Sequence, residues 1–145
     1  MVSQMEKTAK AISKIGNEKD KDLVSKMLSE EGRKLRRSDV DDIISAVGGN
    51  LTTESLAEYL SGFGITLDDT QIVDLLNNIK QVQDNYDKNF EERLKGMGFL
   101  NSSKAISLVQ KSEYGVASDL VDKIATMYAK GTSVAEIEGL VSQIE

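Results

Sequence analysis

Residues 68–94, DDTQIVDLLNNIKQVQDNYDKNFEERL, contain the longest regular apolar pattern in this chain. Apolar side chains recur there at steps of three and four: Ile72, Leu75, Leu76, Ile79, Val82, Tyr86, Phe90 and Leu94. Such steps place side chains on one face of an α-helix. Asp68 and Gln71 precede the pattern with the spacing of a capping box. The stretch therefore predicts a helix over about residues 69–94, roughly 39 Å long at 1.5 Å per residue.

The rest of the chain is also helical in character. Similar spacing predicts a helix over about residues 3–15 and a second that starts after Asn17 and carries apolar residues as far as Leu35. No stretch alternates apolar and polar residues as a strand does, and the chain has no proline. We therefore expect an all-α fold, a compact bundle of about six to eight short helices around one long central helix at 69–94.

Two short helices are expected between residue 38 and the long helix. Ser38 is the predicted cap of the first, and Thr52 or Thr53 of the second, since hydroxyl side chains accept hydrogen bonds from free N–H groups at a helix start. The predicted core includes one residue of the second short helix and five of the long one: Leu56, Ile72, Leu75, Leu76, Ile79 and Val82.

Charge divides the 145 residues unevenly. Residues 1–37 contain ten Lys or Arg and six Asp or Glu, a net charge of +4, whereas residues 38–94 have a net charge of −9. Between residues 38 and 79 there is no basic residue at all. This asymmetry predicts two units, a basic N-terminal helical arm or hairpin (1–37) and an acidic helical core domain (38–145).

The composition argues against catalysis and metal binding. The chain has no His and no Cys, the usual general base and the usual ligands of zinc. No phosphate-binding glycine motif occurs. Asp84, Asp87 and Glu91 share one helix face, but a helix cannot wrap a cation as a calcium-binding loop does. We therefore expect no catalytic, cofactor-binding or metal-binding residues.

Hydropathy gives no sign of a membrane protein. No apolar run approaches the roughly 18 residues that a spanning helix needs. The N-terminus also lacks the apolar core of a signal peptide. The expected location is the cytoplasm.

Two segments resemble known families. Residues 130–141, KGTSVAEIEGLV, resemble the opening of the helix-turn-helix of recombinases and response regulators, but the helix after this turn carries Glu136 and Glu138 and no basic residue. Carboxylates are repelled by phosphates, so we interpret it as a helix that docks on the core.

Residues 48–79, GGNLTTESLAEYLSGFGITLDDTQIVDLLNNI, resemble three unrelated families. These are the acidic N-terminal module of primary bacterial sigma factors, the dimerising helical half of eukaryotic acidic ribosomal stalk proteins, and a degenerate EF-hand pair. The feature that they share is an order of short capped helices. No family is therefore assigned, and no functional residue is carried over.

Two hypotheses of function remain. The first is a non-enzymatic interaction module (an adaptor, inhibitor, regulator or assembly component of the kind that phages and mobile elements encode). Its partner would be another protein with a basic surface, and homo-oligomers would form through the arm or the 69–94 helix. The expected partner-binding residues are acidic: Asp41, Asp42, Glu54, Glu58, Asp69 and Asp74.

The alternative is a role related to nucleic acid. Residues 38–79 would then imitate DNA toward a basic protein, or the basic arm would bind DNA or RNA weakly. The expected phosphate contacts are four residues near the end of the arm: Arg33, Lys34, Arg36 and Arg37.

Overall fold

The computed structural model describes residues 3–144, so residues 1, 2 and 145, at the ends of the two predicted units, lie outside it. Eight helices and no strand occur within residues 3–144. Seven are shorter than the long central helix α5: α1 (Gln4–Ser13), α2 (Glu18–Met27), α3 (Arg37–Ala46), α4 (Thr53–Ser61), α6 (Lys104–Lys111), α7 (Tyr114–Ala129) and α8 (Val134–Ser142). The predicted all-α fold is confirmed.

Helix α5 covers residues 69–96 in three parts. It is α-helical over Asp69–Asp84, π-helical over Asn85–Phe90 and α-helical again over Glu91–Gly96. A step of four residues overshoots a 3.6-residue turn by about 40°, and the apolar pattern takes three such steps in succession between Val82 and Leu94. Because the turns of a π-helix are wider, they absorb this drift, and the apolar side chains remain in the core.

The core is built around α5. Helices α3 and α4 and the turn formed by residues 29–36 (the 29–36 turn) pack against its first part, and α7 packs against its π-helical part. Five of the six predicted core residues are buried: Leu56, Ile72, Leu75, Ile79 and Val82. Leu76 is half-buried and packs against the edge of the core. The apolar side chains of α5 therefore pack against other parts of the same chain.

Helix α2 ends at Met27, so the expectation of a helix reaching Leu35 is wrong. The backbone of Ser29 is extended, with ψ at 159°, and Glu31 and Gly32 follow with φ values of 52° and 67° in the left-handed region that favours glycine. A Cβ atom on Gly32 would lie 3.2 Å from side-chain atoms of both Leu35 and Val82. The 29–36 turn therefore packs closely against α5.

The 29–36 turn also holds the start of α7. The carbonyl oxygens of Leu35 and Arg33 accept hydrogen bonds from the N–H groups of Tyr114 (2.6 Å) and Gly115 (3.0 Å). N–H groups in the first turn of a helix have no partner inside it, so the 29–36 turn supplies the missing acceptors. The fully buried hydroxyl of Tyr86 lies 3.3 Å from the same Leu35 carbonyl oxygen.

Two helix starts show which cap predictions were sound. Helix α3 begins at Arg37, so the prediction that Ser38 caps it is wrong: the N–H of Arg36 donates to the carboxylate of Asp39 at 2.8 Å, and the cap is Arg36, two residues earlier. Thr52 does cap α4, since its hydroxyl accepts from the N–H of Ser55 at 3.0 Å.

The C-terminal helix α8 docks on the core. Ile137 and Val141 are buried. The Glu138 carboxylate accepts a hydrogen bond from the N–H of Lys104, at the start of α6, over 3.0 Å. A carboxylate at a helix N-terminus satisfies a free donor and interacts favourably with the helix dipole. Both contacts fix α8 against its neighbours.

The division of the chain after residue 37 stays a prediction. Helix α2 and the 29–36 turn contribute Leu23, Val24, Met27 and Leu35 to the same core as α5. By contrast, no side chain described for α1 is buried. The two halves of the predicted arm therefore differ in how they pack.

Candidate functional site

Helix α4 presents two carboxylates to solvent. It buries Leu56 and Leu60 against the core. Glu54 and Glu58 are one helical turn apart, lie on the side opposite the buried residues, and are exposed. Hydrogen bonds from its own backbone N–H and from the Thr53 and Thr52 hydroxyls lower the pKa of Glu54. Glu54 is therefore ionised at neutral pH.

Helix α5 and its cap add three more exposed carboxylates. Asp68 caps the helix: its carboxylate accepts from the N–H of Gln71 at 2.8 Å, and the Gln71 side chain accepts from the N–H of Asp68 at 3.0 Å. Asp69 and Asp74 are exposed and, being five residues apart, point about 140° from each other around the helix. They flank the buried side of α5 on its two edges.

Four of the six predicted partner-binding residues thus lie on two helices that pack against each other. We call Glu54, Glu58, Asp69 and Asp74 the α4–α5 carboxylates. Within residues 3–144, none of them has a basic side chain within ion-pair distance. Their negative charge is consequently not offset by a neighbouring cation.

The two predicted residues on α3 differ from these four and from each other. Asp41 accepts a hydrogen bond from the guanidinium of Arg37 at 2.9 Å, so a cation from the predicted arm offsets its charge. Asp42 is half-buried, and no basic side chain pairs with it in the described part of the chain. The structure therefore does not bring Asp41 into the unpaired acidic set.

Asp39, in the same acidic segment, has a structural position. It is only 3% exposed. Its carboxylate lies 3.2 Å from the guanidinium of Arg36 and 3.5 Å from the ammonium of Lys26. Burial alone would raise the pKa of Asp39, but hydrogen bonds from the Arg36 side chain and backbone and the charge of Lys26 hold it below its ordinary value. Asp39 is therefore a buried, ionised link between α2 and α3.

Three of the four predicted phosphate contacts face carboxylates. Arg36 pairs with Asp39. Arg37 lies 2.8 Å from Asp87 as well as close to Asp41, and Arg33 lies 4.0 Å from Asp119. Lys34 alone of the four has no ion pair within residues 3–144. A phosphate would have to compete with these carboxylates for most of the predicted site.

The face of α5 that carries Asp84, Asp87 and Glu91 is partly engaged by other side chains. Asp87 binds Arg37, and Glu91 accepts a hydrogen bond from the side chain of Gln110 at 3.1 Å. Among residues 3–144, no three carboxylates are grouped so that they could hold a metal ion.

None of the described helices is both long and apolar enough to cross a bilayer.

Comparison with known proteins adds nothing to the assignment of this site. No family model, no curated protein and no solved structure matches the chain. The candidate site therefore depends on its own geometry.

Two features of the site could not be found by sequence reasoning. One is the contact between Arg37 and Asp87, which are fifty residues apart. The other is an apolar groove beside Asp74, lined by α1, α2 and the residue before the α5 cap, Leu67. Only the apolar residues of α1 at helical spacing gave a signal for it, and that signal did not identify what they face.

Proposed function

We propose that this chain is a non-enzymatic interaction module that binds a partner protein with a basic surface, and that the α4–α5 carboxylates form its binding surface. The observation that carries this proposal is that four exposed carboxylates on two packed helices have no cation beside them. In the cytoplasm such a module would serve as an adaptor, inhibitor, regulator or assembly component.

The physical basis is long-range attraction. Unpaired carboxylates on one part of a surface create a negative field that raises the rate of encounter with a basic partner. Salt screens this field over about 10 Å at 0.1 M ionic strength. Binding through these residues should therefore be fast at low salt and should slow as salt is added.

The engagement of the basic residues supports this choice over direct binding of nucleic acid. Arg33, Arg36 and Arg37 already face carboxylates, and phosphate contacts need free cations. Imitation of DNA by residues 38–79 would use the same acidic surface as the proposed function. It differs in the partner, which would be a DNA-binding protein.

The test compares two charge-reversal variants. A tagged chain isolates the partner from cells of the source organism, and association rates are then measured at low and high salt. We expect Glu54→Lys/Glu58→Lys to slow association about tenfold at low salt, with a smaller effect at high salt. The matched control is Asp84→Lys/Glu92→Lys, which changes the net charge equally at exposed positions elsewhere on α5.

Each other outcome has a defined meaning. Equal association rates for the wild type and Glu54→Lys/Glu58→Lys would overturn the proposal, as would equal slowing by the control. Release of the partner by duplex DNA would identify the DNA-mimic form. Direct, salt-sensitive binding of the chain to labelled duplex DNA would instead favour the basic residues.

A further inference from the structure

An apolar groove runs between α1 and α2 and continues along α5. Its first part encloses about 350 Å³ and is lined mainly by apolar side chains: Met5, Ala9, Ile12, Leu28 and Leu67. Its second part, about 220 Å³, shares Leu28 and Leu67 and extends over the buried side chains of Met27 and Leu75. Because the two parts share residues, they form one continuous groove, which we call the α1–α5 groove.

One wall of this groove is adaptable. None of the side chains described for α1 is buried, and Met5, at the edge of the groove, is 84% exposed. Methionine is unbranched and polarizable, so it adjusts to differently shaped apolar surfaces. The opposite wall is rigid by comparison, since α2 and α5 are anchored in the core through Met27 and Leu75.

The rim of the α1–α5 groove has a single charge. Among the residues that line it, Asp74 alone is charged, and it is exposed without a basic partner in the described part of the chain. No lysine of α1 or α2 lines the groove. An apolar groove with one unpaired carboxylate is complementary to an apolar helix face that carries a basic residue.

We propose that the α1–α5 groove binds an amphipathic helix of the partner protein, with Lys or Arg beside its apolar stripe. This inference rests on the proposed function and specifies the part of the partner that is bound. The apolar side chains, spaced as in other helix-in-groove complexes, occupy the space between α1 and Leu67. The basic side chain pairs with Asp74. From Gln71 to Asn78 the groove follows α5 for about 10 Å, which is about two turns of the bound helix.

The test uses designed peptides, because the partner is unidentified. The probe is an 18-residue labelled helix with a leucine stripe and lysines on its other positions. A charge-reversed peptide carries glutamates in place of the lysines, and a scrambled peptide keeps the composition of the probe without the stripe. Binding is followed by fluorescence anisotropy at several salt concentrations.

Two variants change the groove at exposed positions and leave the core unchanged. Ala9→Lys places a long cationic side chain at an exposed position of the groove wall, and Asp74→Lys reverses the charge on the rim. The matched controls are Ala135→Lys and Glu92→Lys, at exposed positions on α8 and α5 outside the groove. We expect the probe to bind the wild type and both controls, and each groove variant to weaken binding at least about tenfold, or 1.4 kcal/mol.

Several results would overturn this inference. It fails if the charge-reversed or scrambled peptide binds as tightly as the probe, or if no peptide binds. It also fails if Glu54→Lys/Glu58→Lys weakens probe binding while Ala9→Lys does not, although the proposed acidic surface would survive that result. A concentration-dependent dimer of the wild type that Ala9→Lys dissociates would instead assign the groove to a second copy of this chain.

Discussion

The segment around Asp39 and the α4–α5 carboxylates are both acidic and both lie beside α5, but they use their charge differently. Asp39 is 3% exposed and has two cations, Arg36 and Lys26, within 3.5 Å. Glu54 and Glu58 are exposed and have none. The first carboxylate holds elements of the fold together, whereas the other two leave their charge available to a partner.

The difference depends on where cations lie in space rather than along the chain. Residues 38–79 contain no Lys or Arg, yet Asp39 and Asp41 are paired by residues that precede this segment. Arg37 contacts both Asp41 and Asp87 and so joins α3 to α5. Within the described part of this segment, Asp39 and Asp41 are therefore paired with cations, whereas the α4–α5 carboxylates are not.

The largest effect on stability should come from deleting residues 1–37, which contain the cations that pair with Asp39 and Asp41. A chain of residues 38–145 lacks four side chains that are at most 5% exposed: Leu23, Val24, Met27 and Leu35. Losing a buried side chain of this kind costs about 2–5 kcal/mol, so the total approaches or exceeds the stability of an ordinary domain, about 5–15 kcal/mol. We expect this fragment to show no cooperative thermal transition by circular dichroism.

The control for this truncation is a chain of residues 14–145, which loses α1 but keeps the buried Ile15, α2 and the 29–36 turn. We expect it to melt cooperatively with a Tm only slightly below that of the full chain, since no side chain described for α1 is buried. A cooperative transition in the 38–145 fragment would instead support a division into two units after residue 37.

The second-largest effect on stability should distinguish the buried carboxylate of Asp39 from the exposed carboxylate of Glu58. Asp39→Ala leaves the Arg36 N–H without its acceptor and removes one of the two carboxylates beside Lys26, which also pairs with Asp22 at 3.1 Å. We expect a loss of about 2 kcal/mol in the free energy of unfolding, measured by urea denaturation at pH 7. Glu58→Ala, at an exposed position, should change it by less than about 0.5 kcal/mol. Similar losses in both variants would remove the distinction between the two kinds of carboxylate.

The smallest effect is a dependence on pH. The folded protein holds the pKa of Asp39 below its ordinary value of 3.8. The stabilisation from ionised Asp39 is therefore fully present above pH 3.8 and is lost as the pH falls through the lower pKa of the folded state. Asp39→Asn should cost about 1–2 kcal/mol at pH 7.

Urea denaturation of the wild type and Asp39→Asn at a series of pH values between 7 and 2 would test this expectation. The difference in the free energy of unfolding should be constant down to about pH 5 and should shrink in more acidic solution. A difference that persists unchanged at pH 2 would show that the Asp39 charge is not what stabilises the fold.

The long helix was predictable because its pattern is local. The spacing of Ile72, Leu75, Ile79 and Val82 defines one buried face, and all four are buried. The 29–36 turn was not predicted, since helix-forming residues surround Gly32, and its close approach to Val82, fifty residues away, is not visible in the local sequence. Patterns within a window of sequence cannot report such a contact.

The candidate site also has features that the sequence predicted and features that it did not. Exposure of Glu54 and Glu58 followed from their position opposite Leu56 and Leu60 on a predicted helix. The pairing of Arg37 with Asp87 could not be read from the sequence, because it depends on how α3 lies against α5. For this reason the sequence overestimated both the free acidic charge near residue 41 and the free basic charge before it.

The π-helical part of α5 is a place where this protein can change in length. Loss of one residue within 85–90, such as the exposed Lys88, would let this part close as an ordinary α-helix. Five residues of an α-helix turn through about the same angle as six residues of a π-helix, so the later positions of α5 would keep their orientation and Leu94 would stay in the core. In a chain of common ancestry, a one-residue gap at 85–90 should therefore leave the apolar positions in the remainder of the helix on the buried face.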